Sequence, residues 1–62
     1  MMVYHVTMSN GRVYGVAATG KREAMTMAQE RATSDGTGAT PQRADSVGRG
    51  GPTWTYGTVL AY

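Results

Sequence analysis

Apolar and polar residues alternate from Tyr4 to Met8, and this run and a second β-prone run, Val13-Tyr14-Gly15-Val16, flank the pair Asn10-Gly11. Alternation with period two marks a strand with one buried face. Asn-Gly is the pair that best tolerates the two positive-φ positions of a type I′ turn. The chain is therefore predicted to open with a β-hairpin. A two-residue loop pairs Ser9 with Arg12, Met8 with Val13, Thr7 with Tyr14, Val6 with Gly15, His5 with Val16 and Tyr4 with Ala17. Side chains alternate between faces. One face then carries Tyr4, Val6, Met8, Val13, Gly15 and Ala17. The other carries Val3, His5, Thr7, Tyr14 and Val16. The first face, with its small Gly15 and Ala17, is the better seat for a helix.

The spacing changes after Ala18. Ala24, Met25, Met27, Ala28 and Ala32 fall on one side of a helix from Lys21 to Thr33, with Arg22, Glu23, Thr26, Gln29 and Glu30 on the other. Thr19 is the expected N-cap, with Glu23 in the first turn. Gly36 suits the left-handed residue that ends a helix. The buried stripe is mostly alanine, so the helix should lie close to the sheet.

Residues 36–52 hold five of the nine glycines and both prolines. Thr40-Pro41 reads as an N-cap followed by proline at the first helical position, which predicts a short helix over 41–47 within an otherwise irregular connection. Thr, Trp, Tyr and Val then mark a strand over 53–61. Its Trp54, Tyr56, Thr58 and Leu60 form an aromatic face expected to join the helix. The expected fold class is α+β. It is a ββαβ chain with a three-stranded antiparallel sheet in order 2-1-3 and one helix on one face. Residues 1–62 form a single small domain.

Composition narrows the chemistry. A domain of about 60 residues buries only ~60% of its unfolded surface and is marginal alone. Small folds usually add a disulfide, a metal or a partner. There is no cysteine and one histidine, which removes disulfides, thiolate zinc sites and multi-imidazole sites within one chain. No cofactor is expected, and partner association is the remaining common aid. No run approaches the ~20 apolar residues of a membrane span. Met1-Met2-Val3-Tyr4-His5 lacks the features of a signal peptide, so a cytoplasmic location without membrane contact is the expectation. The net charge of +2 is a mild bias beside the dense basic patches of nucleic-acid binders.

Few motifs suggest catalysis. Residues 15–22, Gly-Val-Ala-Ala-Thr-Gly-Lys-Arg, approach the P-loop pattern G-x-x-x-x-G-K-[ST]. Arg22 stands where the magnesium-binding hydroxyl belongs, and Gly15 falls inside a strand. Gly15 is read instead as room for the helix. Lys21 and Arg22 at a helix N-terminus suggest a weaker anion site. His5 falls on the face away from the helix, with no orienting carboxylate nearby, and reads as a surface or interface residue. Arg31 falls within the apolar arc of the helix and reads as a stem packed on the sheet with its head in water. Tyr4, Trp54 and Tyr56 are needed as core, leaving Tyr14 and Tyr62 as exposed rings.

An uncovered sheet face carrying Val3, His5, Thr7, Tyr14, Val16, Thr55 and Val59 marks an interface. The expected function is a small non-enzymatic protein-interaction module. It would bind through Val3, His5, Tyr14, Val16 and Val59, or form a homodimer by that face or by a strand edge. Small size suggests a phage or mobile-element accessory protein that binds a host macromolecule. The alternative is a nucleic-acid binder using Arg12, Lys21, Arg22, Arg43 and Arg49.

Overall fold

The computed structural model describes residues 1–62. The elements are β1 (Met2–Met8), β2 (Val13–Ala18), α1 (Lys21–Ser34), β3 (Pro41–Arg49) and β4 (Val59–Ala61). They form one antiparallel sheet in the order β3-β1-β2-β4, with α1 on one side. The α+β class and the opening hairpin hold. The sheet has four strands rather than three, and the order 2-1-3 with residues 53–61 beside β1 is replaced. The strand beside β1 is β3, and the last strand pairs with β2 instead.

The hairpin turn has one residue more than the sequence suggests. The Met8 N–H donates to the Arg12 carbonyl at 2.8 Å, and the Gly11 N–H to the Met8 carbonyl at 3.0 Å. The loop is therefore Ser9-Asn10-Gly11, with Gly11 alone at positive φ (86°). This is the three-residue hairpin, in which a turn is followed by one left-handed residue. The Asn10 side chain accepts the Arg12 N–H at 3.0 Å.

That extra residue decides the faces. Tyr4 lies opposite Val16, Val6 opposite Tyr14 and Thr7 opposite Val13. A one-residue slip sends every side chain of a strand to the other face. Tyr14, Val16 and Ala18 thus join Tyr4, Val6 and Met8 under the helix, while Val13, Gly15 and Ala17 turn away from it. Tyr14, Met8, Val6 and Val16 are the largest fully buried side chains. Each contributes roughly 1.5–3 kcal/mol by leaving water.

The helix meets this face with Ala24, Ala28 and Ala32, all fully buried, flanked by Met25 and Met27. Gly20, not Thr19, is the N-cap, and it makes no side-chain capping bond. The first turn is served instead by Glu23, which accepts the Thr19 N–H and hydroxyl, each at 2.9 Å. At the other end Gly36 has φ 77°. Its N–H reaches Thr33, and the Thr37 N–H reaches Ala32, the paired bonds of a glycine-terminated helix.

Pro41–Arg49 is a strand, not the short helix predicted over 41–47. It pairs with β1 through Arg43–Thr7, Ala44–Val6, Asp45–His5 and Ser46–Tyr4, and the register shifts twice, at Gln42 and Val47. Ala44 is buried, so β3 adds its small side chain to the core. Only Val59–Ala61 of the predicted last strand forms the sheet. The preceding residues turn at Gly51–Trp54 and at Thr55–Thr58, with Gly57 at φ 90°.

Candidate protein-interaction surface

The face opposite α1 is built in rows set by the register. Leu60, Gly15, His5 and Asp45 form one row across the sheet, and Val13, Thr7 and Arg43 form the next. The Tyr62 N–H donates to the Val13 carbonyl at 2.9 Å, which continues β4 and places Tyr62 at the end of the second row. Gly15 opens a hollow in this face. A β-carbon there would lie 2.8 Å from the Tyr62 hydroxyl and 2.9 Å from Trp54, so the two rings occupy the space that glycine leaves. Gly15 thus makes room for Trp54 and Tyr62 rather than for the helix. Tyr62 also meets His5 edge to face, with ring centres 5.0 Å apart.

This arrangement redistributes the residues expected to bind a partner. Tyr14 and Val16 belong to the core, 1% and 0% exposed. Val59, opposite Val16, also packs against the core. Val3 lies on the outer face but is buried, close to Gly50 and Trp54. His5 is the one of the five that stays half-exposed on that face. Leu60 and Tyr62 complete the surface, 49% and 64% exposed. Leu60 lies on this face, not on the helix side expected for one strand over 53–61, because residues 51–58 turn and only Val59–Ala61 is extended. Of the aromatics expected in the core, only Tyr4 is there. Trp54 covers the outer face, and Tyr56 is 59% exposed.

Charged groups around the sheet are largely engaged with one another. Arg43 pairs with Asp45 at 2.8 Å. Arg31 donates to the Val59 carbonyl at 2.8 Å and to Asp35 at 3.3 Å, so its head is anchored at the sheet edge rather than free in water. Asp35 also accepts the Tyr14 hydroxyl at 3.3 Å. Tyr56 donates its hydroxyl to Glu23. Glu23 is held below the usual carboxylate range by the Thr19 N–H first, then by the Tyr56 and Thr19 hydroxyls. Tyr56 is raised in turn, chiefly by its bond to Glu23. A carboxylate therefore already stands at the first turn of α1, beside the position where Lys21 and Arg22 suggested an anion.

The five cations named for nucleic acid do not form one patch. Arg43 lies opposite Thr7 and Arg12 beside Met8, whereas Arg49 lies opposite Met2. Lys21 and Arg22 follow β2 at that second end, where Ala18 lies opposite Met2. The two groups are separated by the length of β1, about 20 Å at ~3.3 Å per residue. Asp45 lies directly across from His5, a neighbour the sequence concealed by suggesting a helix there. No hydrogen bond joins His5 to a carboxylate or hydroxyl, and no three histidine or acidic side chains gather as a metal would require. No helix is long and apolar enough to cross a membrane. Compared with known proteins, the chain matches no family model, no curated protein and no solved structure.

Proposed function

We propose that this chain is a small, non-enzymatic protein-binding module that engages its partner through the sheet face opposite α1. The exposure of Leu60 and Tyr62 on that face carries the reading. They are half to two-thirds open to solvent, held by β4 pairing, with Thr7, Val13 and His5 in the adjoining positions. Aromatic and large apolar side chains fixed on a rigid scaffold are the usual anchors of protein interfaces. The nearby Arg43–Asp45 pair keeps the rim polar and close to neutral, which suits a protein surface better than a phosphate backbone. The reading needs no cofactor and places the protein in the cytoplasm. An accessory protein of a phage or mobile element, binding a host macromolecule, would fit it.

The nucleic-acid alternative requires Arg12, Lys21, Arg22, Arg43 and Arg49 to act together. Their division between two ends of the sheet argues against the continuous basic track that single-strand binders use. Capture on a tagged chain from lysate of its own host, with and without nuclease, tests the choice. Nuclease-resistant capture that is lost in Leu60→Glu and kept in Arg22→Glu is the expected result. Capture that disappears with nuclease, weakens steeply with salt and survives Leu60→Glu would replace this reading with the nucleic-acid one.

A further inference from the structure

The two edges of the sheet are unlike. At the β4 edge, Ala17 and Val13 bond to Thr58 and Tyr62. Alternation along an antiparallel ladder then turns the Val59 backbone outward. That carbonyl is taken by Arg31. At the β3 edge nothing comparable happens. The Met8 N–H points to β2, at Arg12, and the Ser9 N–H points to β3, at Thr40. Val3, His5 and Thr7 therefore face β3, and Asp45 and Arg43 opposite them turn inward. Ala44 and Ser46 direct their N–H and C=O groups away from the sheet, and no hydrogen bond within the chain takes them. An open row of backbone groups is a template for another strand.

We propose that β3 pairs antiparallel with β3 of a second copy across a two-fold axis, joining two four-stranded sheets into one. Charge selects the partner and the register. Arg43 and Asp45 sit two residues apart on the outer face. Setting Ala44 against its own copy places Arg43 of each chain opposite Asp45 of the other, twice over, and opposite charges facing across strands are favourable. Sliding to set Asp45 against its copy opposes two carboxylates. Setting Ser46 against its copy leaves Arg43 and Asp45 without an opposite charge, because Arg49, opposite Met2, lies on the other face of the sheet. The irregularities at Gln42 and Val47 bracket the pairing and confine it to a short central segment. Such an interface is isologous and self-complementary, and it supplies the partner that a marginal 62-residue chain lacks.

Sedimentation equilibrium, with circular dichroism on every variant, tests this. Wild type is expected to form a dimer. Arg43→Glu and Asp45→Arg, each alone, bring like charges together twice and should weaken the dimer about tenfold or more while the fold stays intact. Mixed in equal amounts, the two variants should form a heterodimer, because each then offers the charges the other needs. Ser46→Pro removes one outward N–H and leaves the β1 ladder untouched, as edge prolines do. It should also give a folded monomer. A wild type that stays monomeric at the highest attainable concentration overturns the proposal, as does a mixture that fails to associate or a Ser46→Pro chain that dimerises normally. Leu60→Glu should leave the dimer unchanged. Its loss there would mean that self-association runs through the outer face, and the β3 assignment would fall.

Discussion

Gly15 lies directly beneath Tyr62, so close that a β-carbon on the glycine would stand 2.8 Å from the phenol oxygen. The contact ties Tyr62 to the centre of the sheet. Trp54 closes the same hollow from another side. Together the two rings give the outer face a small apolar cluster of its own over Gly15, with Val3 beside Trp54 at Gly50.

Gly15→Ala should therefore destabilise the protein by about 1–2 kcal/mol, because the added methyl must displace a ring. Gly51→Ala, with open space around its position, should stay within about 0.5 kcal/mol of wild type. Urea titrations followed by Trp54 fluorescence measure both. Equal midpoints would mean that Tyr62 and Trp54 yield without cost.

The register separates Val16 from Thr7. Val16 is fully buried under α1, and a carboxylate there has neither water nor a partner, so Val16→Glu should abolish folding. Val6→Ala, from the same layer, should cost about 1–4 kcal/mol through the cavity it leaves. Thr7→Glu points outward beside Arg43 and should leave the far-ultraviolet dichroism and the melting curve nearly unchanged. A folded Val16→Glu chain would contradict the three-residue turn on which the face assignment depends.

At the turn itself, Gly11→Val should cost more than Asn10→Asp. Gly11 alone carries positive φ, which a β-branched residue adopts at a cost of about 1–3 kcal/mol. Aspartate keeps the acceptor that Asn10 offers to the Arg12 N–H. Thermal melts of the two variants decide the order.

The bond between Tyr56 and Glu23 should hold over a defined range of pH. Glu23 has a folded pKa below its ordinary value of 4.5. Its contribution is complete above that value and disappears as pH falls through the lower, folded one. Tyr56 is raised above 10.0. Its contribution is complete below 10.0 and disappears as pH rises through the raised value. Tyr56→Phe should therefore melt below wild type at neutral pH and match it in strong acid, when Glu23 is protonated in both. A difference that persists unchanged in strong acid would show that Tyr56 acts through packing alone.

The hairpin, the alanine stripe of α1 and its glycine stop were legible because each depends on neighbours in sequence. Asn10-Gly11 marks a turn but does not distinguish a two-residue loop from a three-residue one, since both place glycine at positive φ. That single ambiguity exchanged Tyr14 and Val16 with Gly15 and Ala17 between the faces. β3 was hidden for another reason. Pro41, Asp45 and Gly48 are poor strand formers, and Thr40-Pro41 is an ordinary helix start. Its strand conformation comes from pairing with β1 and from the close fit of Ala44 to the core, neither of which is local. Trp54 and Tyr56 have high strand propensity, yet tertiary packing on Gly15 and the bond to Glu23 hold them in turns.

The hydrogen bond from Arg31 to the Val59 carbonyl has a consequence for stoichiometry. A sheet with two receptive edges can add copies without limit and grow into a fibre. A sheet with one favoured edge tends to stop at two copies, because joining two such edges consumes both and leaves outside the short β4 edges, each with its Val59 carbonyl already taken. If β3 pairs with its own copy as proposed, the Arg31 bond to the Val59 carbonyl makes the opposite edge the less receptive one, and Arg31→Ala is the variant in which growth beyond a dimer should first be seen.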